Sequence, residues 1–436
     1  MKTSLSNESA RAIATRLATA NQAFVARYPG ESAGRQPCHI VYVGAHDFHE
    51  TIAREWGEIA MRTLDENAAD AATLAEIVGL SSSLPEERAL AETIRARVVA
   101  KLRTEPVEDL RVDFEDGYGV RPDAEEDAHV DAVAAAIARG MSAGTLPPFL
   151  GVRVKPLNED VRARSMRTTD GFLSTLAALT GKRLPSGFRF NLAKITIPEQ
   201  VTAFTDLLED LECTIGFAQG SLVFEIMIEV AQAVIGPRGE AMVPLLVDAG
   251  RGRCIAAHLG TYDFTASCGI TAAHQSMAHP ACDFAKQVML QSLAGRGVAI
   301  SDGATHVVPV GDGDAIRAAW RRSASDIRRS LVQGYYQGWD MHPAQLPIRY
   351  AALYAFFLEA LPKATLRMKA FLSKATHASE AGGVLDDAAT GQALLNFFLR
   401  GMSCGAITED EALATDLTLD EIRGRSFSKI LAARRG

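Results

Sequence analysis

The sequence predicts an α/β fold: eight parallel strands closed into a (β/α)8 barrel, with helical extensions at both ends. Three observations predict it. Short apolar runs rich in β-branched residues alternate with helix-length segments about eight times between residues 38 and 343. No two runs are joined by a hairpin signal, so neighbouring strands need crossover connections and run parallel. Ionisable residues gather at the ends of these runs, where a barrel places its chemistry, instead of scattering over the helices.

Residues 1–36 read as one helix and a polar linker, with Ser6 or Asn7 as its cap. CHIVYVGA (38–45) is the first strand. Residues 47–104 are helical in two or three pieces, with an insertion near 66–104; Ser83-Leu-Pro-Glu-Glu is a helix start with proline in its first turn. LRVDFED (110–116) is the second strand. The helix at 123–139 has acids first and arginine last, as its dipole favours. Strands follow at 148–154, 188–197, 222–229 and 254–260, with a helix near 168–180 and another opened by Pro198-Glu-Gln. A helix at 275–295 leads to a seventh strand region at 298–310. A helix at 314–332 leads to a short eighth strand at 338–343. The barrel is expected to span 37–350. Residues 351–436 form a C-terminal helical extension, suited to covering a neighbour's mouth.

The chain has 436 residues, enough for one barrel of roughly 250 residues plus these additions. Its 47% hydrophobic and 22% charged residues are ordinary globular composition. A net charge of −8 argues against a nucleic-acid or anionic-membrane surface. No run of about 18 apolar residues is present to span a membrane, and the first residues lack the apolar core of a signal peptide. The cysteines at 38, 213, 254, 268, 282 and 404 form no CxxC pair. Zinc knuckles and disulfide frameworks are therefore not suggested, and reduced cytoplasmic thiols are the plain reading.

The stretch from Glu225 to Phe264 organises the rest. It holds two apolar runs, each ending in an acid, joined by a helix-length crossover at 230–249. Parallel strands send their carboxyl ends to one mouth. Glu229 and Asp263 would stand there side by side as two hard oxygen ligands, a pair suited to Mg²⁺ or Mn²⁺. The same acids also fit plain helix caps. Asp113, Glu115 and Asp116 end the second strand, Arg153 and Lys155 the third. Lys194 lies at the fourth and His342 follows the eighth. Asp113-Phe-Glu-Asp-Gly also fits a turn, Arg153 a structural ion pair, Lys194 a snorkelling side chain and His342 a cap. His46/His49 and His274/His279 lack the acid of a HExxH pair. No dinucleotide, P-loop or nucleophile-elbow motif occurs.

In order, VYVGAHDF, VDFEDGYG, VRVK, LAKITIPEQ, MIEVAQAV, HLGTYDFTAS and GWDMHPAQ resemble the motifs of the HpcH/HpaI aldolase and citrate lyase β-subunit superfamily. The resemblance covers roughly residues 38–348 and points to a longer branch of that superfamily. It implies a TIM barrel, a divalent metal (Mg²⁺ or Mn²⁺) on Glu229 and Asp263, and Arg153 as the substrate-binding arginine. Asp113, Glu115 and Asp116 match the family's acid cluster.

The implied chemistry is carbon–carbon cleavage or formation on a hydroxy or oxo acid through an enolate. Arg153 would bind the substrate and stabilise its developing charge. Asp116 or Glu115, and after them His342, are the acid–base candidates. Asp113, Glu229 and Lys194 are expected to contact substrate. Three alternatives stay open: a citrate-lyase-like or malyl/citramalyl-CoA lyase acting on a thioester, a Schiff-base aldolase through Lys194, and a non-catalytic metal-binding barrel. A CoA substrate would call on Arg162, Arg164, Arg167, Arg251 or Arg253 for its phosphates. Related barrels imply a homo-oligomer.

Overall fold

The computed structural model describes residues 4–31, 34–376 and 388–435. Parts of both expected extensions, residues 1–3, 32–33, 377–387 and 436, lie outside the described residues. Helix α1 (Asn7–Arg27) is capped by Ser6, whose hydroxyl accepts from the Ser9 N–H at 3.1 Å. Strand β1 (His39–Gly44) is followed by three helices, α2 (Ile52–Asn67), α3 (Ala71–Ile77) and α4 (Pro85–Thr104). The expected insertion at 66–104 is α3, α4 and the end of α2. Then come β2 (Asp109–Asp113), α5 (Asp123–Ala143), β3 (Phe149–Val154), α6 (Arg162–Thr180), β4 (Arg189–Leu192), α7 (Pro198–Leu211) and β5 (Phe224–Ile228). The crossover after β5 is two short helices, α8 (Ala231–Val234) and α9 (Val243–Ala249), on either side of a small antiparallel bridge. Next are β6 (Cys254–Leu259), α10 (Thr261–Ser267), α11 (Pro280–Leu293), β7 (Ala299–Ser301), α12 (Gly313–Val332) and β8 (Gly338–Asp340).

The strands are all parallel, in the order β7-β6-β5-β4-β3-β2-β1-β8. The two end strands meet just past their named residues. Asp302 N–H donates to Gln337 O at 2.9 Å, and Trp339 N–H to Gly303 O at 3.1 Å. These bonds bring the sheet round into a nearly closed (β/α)8 barrel, as the alternation of strand and helix predicts. Strands four, seven and eight are shorter than their apolar runs. Apart from Phe188 and Val298, which precede their strands, the remaining residues of these runs follow the strands at the mouth.

Alternation along the strands divides the stabilising work from the polar interior. Val41, Val43, Leu110, Val112, Val152, Phe190 and Ile226 join one continuous apolar core with the surrounding helices. Full burial of each such side chain is worth about 1.5–3 kcal/mol. The alternate residues meet inside the barrel, and several of them are charged. Arg111 on β2 reaches across to Glu225 on β5 at 2.6 Å and also pairs with Asp109. Arg189 Nη1 and His258 Nε2 stand 3.0 and 3.1 Å from the same glutamate. Burial alone would raise the Glu225 carboxyl, but Arg111, His258 and Arg189 hold it well below the ordinary value. Gly151 makes room for this layer. A Cβ there would lie 1.9 Å from Arg189 O and 3.0 Å from Arg111 Cδ.

Past β8, α13 (Leu346–Thr376) runs through position 350, so one helix both ends the barrel and begins the extension. The extension continues with α14 (Ala388–Ser403), α15 (Glu409–Leu413), α16 (Leu419–Arg423) and α17 (Phe427–Arg435). It packs at the amino-terminal end of the barrel, away from the chain's own mouth. Arg400 bonds Gln36 and Glu31 just before β1 and lies over the Tyr336 ring just before β8. Arg97 on α4 holds Glu411 at 2.7 Å. Among the described residues, no helix is long and apolar enough to cross a membrane.

Candidate active site at the carboxyl mouth

Strand register sets the first pair. Asp113 ends β2 directly opposite Arg153 on β3. Arg153 Nε donates to Asp113 Oδ1 at 2.7 Å and Nη2 to Oδ2 at 2.5 Å, a two-point clamp. Asp113 also accepts from the Glu115 and Gly117 N–H groups, each at 2.8 Å. Asp113-Phe-Glu-Asp-Gly is therefore a turn, and that turn aims Glu115 and Asp116 into the mouth. Arg153 is 2% exposed. Its guanidinium lies 4.6 Å from the Tyr42 ring and 5.7 Å from that of Trp339. Nη1 comes within 3.5 Å of Glu115.

Lys194 joins the two halves of the acid set. It follows β4 in the left-handed region, with φ of 51°. This is an uncommon conformation for a side chain of its size. Its N–H donates to Glu229 Oε1 at 2.5 Å, while its Nζ holds Glu115 at 2.7 Å and Asp116 at 2.8 Å. Burial would lower the ammonium pKa, but Asp116 and Glu115 raise it above the ordinary lysine value. A Schiff-base nucleophile needs the neutral amine, and these contacts favour the charged one. Borohydride treatment with pyruvate is expected to leave the protein mass unchanged by mass spectrometry; a reduced adduct on Lys194 would reverse this reading.

The four carboxyls differ. Glu229, just past β5, is 2% exposed. Burial, and after it the nearby Asp263 charge, push its carboxyl up to about 8, against the opposing pull of Arg153. Asp263 sits in the first turn of α10 and is also raised by burial. Burial raises Glu115 despite Arg153 and Lys194, whereas Asp116 is held below its ordinary value by Lys194 and Glu115 in spite of burial. Gly260 leaves the space that Glu229 occupies. A Cβ there would lie 2.6 Å from both Glu229 Cβ and Oε2. Gly260→Ala is expected to displace this carboxylate and weaken divalent-cation binding by about 10–100-fold, the range for disturbing a ligand's support. Calorimetric titration with Mn²⁺ checks it.

His342 caps the short turn that follows β8. Its Nδ1 accepts from Ala344 N–H at 3.2 Å, so the neutral ring carries its proton on Nε2. Burial lowers its pKa. In that form the ring is a capping acceptor at Nδ1 and a donor at Nε2. Lys155 donates to Glu126 at 2.7 Å and to Phe114 O at 2.6 Å, which fixes the wall of the mouth. Among the arginines considered for a CoA phosphate, Arg162 pairs with Glu159, and Arg164 and Arg167 pair with Asp127. Arg251 and Arg253 precede β6 and so stand at the opposite end of the barrel, paired with Asp206 and Glu212. Tyr42 and Trp339 carry no motif that marks them as site residues. The signal for Tyr42 was present, since alternation with Val41 and Val43 turns it inward.

The donor set fits a divalent cation. Glu115, Asp116, Glu229 and Asp263 face Lys194 and an Arg153 already neutralised by Asp113, which leaves negative charge uncompensated. Among the described residues, no three His, Cys, Asp or Glu side chains form a ready cage. Two carboxylates completed by water and substrate are a normal Mg²⁺ site. A groove of about 910 Å³ on the outer wall, between α2, the end of α4 and the loop before β3, shares no residue with this mouth.

The family model described as a domain of unknown function, DUF6986, matches residues 17–430. No curated protein matches the chain. A solved citrate lyase from Burkholderia xenovorans LB400 is 20% identical, with 75% of this chain and 93% of that one covered and a TM-score of 0.56. The likeness shows a shared fold. The protein CitE of Mycobacterium tuberculosis, solved with magnesium and acetate, is 13% identical over 75% of this chain and 92% of that one, with a TM-score of 0.40. A Haloferax volcanii malate synthase, solved with magnesium and glyoxylate, is 11% identical over 91% and 89%, with a TM-score of 0.47.

Proposed function

The chain belongs to the DUF6986 family, and from the residues at its barrel mouth we propose that it is a Mg²⁺- or Mn²⁺-dependent carbon–carbon lyase of the aldolase type, acting on a small hydroxy or oxo acid. One observation carries the reading. A buried glutamate, Glu229, is charge-stressed beside a second carboxylate, Asp263, in a barrel mouth that also presents a clamped arginine. Glu229 and Asp263 would hold the cation, which when bound would act as a Lewis acid on the substrate carbonyl. Arg153, fixed by Asp113 and stacked on Tyr42, offers Nη1 to a substrate oxygen without having to reorganise. Glu115 and Asp116 have carboxyl pKa values pushed in opposite directions, a pattern that separates a proton holder from a permanent anion. Glu115 then holds and returns the proton, and Asp116 keeps Lys194 charged.

The pairing of Arg162, Arg164 and Arg167 with acids favours a free acid over a CoA thioester. The test is turnover, with and without Mn²⁺, of 4-hydroxy-2-oxo acids, of pyruvate with glyoxylate, and of malyl- and citramalyl-CoA. Metal-dependent turnover of a free acid is expected. Turnover of thioesters alone would replace the aldolase reading with a CoA lyase. Metal binding without turnover of any of them would favour a binding barrel.

A further inference from the structure

Helix α1 carries an apolar seam that the barrel does not cover. Ala10, Ile13, Leu17, Ala20 and Phe24 follow one another in alternating steps of three and four, the core spacing of a coiled coil. No residue of α1 is buried, and Leu17 and Phe24 are 56% and 63% exposed. The root of the helix is fixed to the barrel. Arg27 pairs with Asp248 at 2.8 Å, and Gly30 N–H donates to Gly295 O at 2.9 Å. Most helical stability in proteins comes from packing of an apolar face, and no residue of α1 is buried, so the seam calls for a partner.

We propose that α1 is a dimerisation helix, pairing antiparallel with α1 of a second copy of this chain. The seam is complementary to itself in that direction. Ile13 falls opposite Phe24 and Leu17 opposite Ala20, and a two-fold axis repeats both layers. Beside the seam, Arg16 faces Ala23 and Ala14 faces Asn21, so no like charges meet. The helix dipoles oppose one another, which is the favourable sense. A parallel pair would instead align the dipoles and bring Arg27 against Arg27.

The test uses the full chain, its mass measured by light scattering during gel filtration. Leu17→Asp is expected to halve the wild-type mass while the thermal midpoint of the barrel holds. In a background of Cys213→Ser and Cys268→Ser, which removes the two exposed thiols, the pair Leu17→Cys with Ala20→Cys is expected to oxidise to a reducible dimer. Phe24→Cys alone should not cross-link, because antiparallel pairing places the two copies of position 24 about 16 Å apart along the axis. A wild-type monomer, an unchanged mass for Leu17→Asp, or self-cross-linking through Phe24→Cys would each overturn the proposal.

Discussion

In a Glu229→Gln chain, Mg²⁺ and Mn²⁺ binding is expected to fall by at least about 100-fold under the proposed function, and metal-dependent turnover with it. Loss of an outer-shell partner already costs about 10–100-fold, and a direct ligand is worth more. The same substitution is expected to stabilise the metal-free fold at high pH. Glu229 is pushed up to about 8 from 4.5 by burial and by Asp263. A carboxyl raised in the folded state favours folding fully below the unfolded value. That contribution is lost as pH rises through the window from 4.5 to about 8. Glutamine copies the neutral form at every pH. The variant should therefore match wild type near pH 4.5 and exceed it above pH 8 by a margin on the order of a few kcal/mol. Urea midpoints of the metal-free proteins at about pH 5 and about pH 8.5 measure both ends. In the wild type, cation affinity should climb with pH up to about 8, because below that value binding must displace the Glu229 proton. Equal midpoints at high pH would remove the charge stress on which the cation site is argued. A stability gain coupled to lost binding is the trade expected where a site holds a group the fold would rather neutralise.

The strands were legible because a buried parallel strand must be apolar along its length. The mouth acids were legible because they interrupt that rule at one end. Closure into a barrel was legible from the eight repeats, but the residues that close it between β7 and β8 were not. Each strand has only three residues, and the bonds that join them come from Asp302, Gly303 and Gln337, which no local pattern marks. The dual role of Lys194 was hidden for a different reason. Its left-handed backbone lets the N–H reach Glu229 while the ammonium reaches Glu115 and Asp116, and composition gives no sign of such a dihedral. Arg251 and Arg253 illustrate an error of polarity. They flank a strand, but its amino end, and in a parallel barrel the two ends are separate surfaces. For the C-terminal helices, periodicity identified the elements but carried no information on which end they cover. Arg400 and Arg97 decide that through partners hundreds of residues away.

Arg153→Met is expected to destabilise the protein by about 3–5 kcal/mol, the cost of leaving one half of a buried ion pair without the other. Asp113 is 0% exposed and would keep its charge-accepting bonds from the Glu115 and Gly117 N–H groups without the cation that balances them. Glu229 and Glu115 would also lose the positive charge that restrains their rise. A double substitution separates stability from chemistry. Asp113→Leu with Arg153→Met replaces the pair by apolar side chains, and such exchanges are often neutral or stabilising. Denaturant midpoints should therefore recover in the double variant, while turnover stays lost, because nothing then presents a donor to the substrate. Arg153→Lys tests the geometry further. Lysine keeps the charge but has a single Nζ in place of the planar fork, so it cannot hold both Asp113 oxygens and still present a second nitrogen to the mouth as Arg153 Nη1 does. It should retain most of the stability and little of the activity. If Arg153→Lys turned over as wild type does, Arg153 would be a structural cation alone, and the substrate oxygen would need another donor.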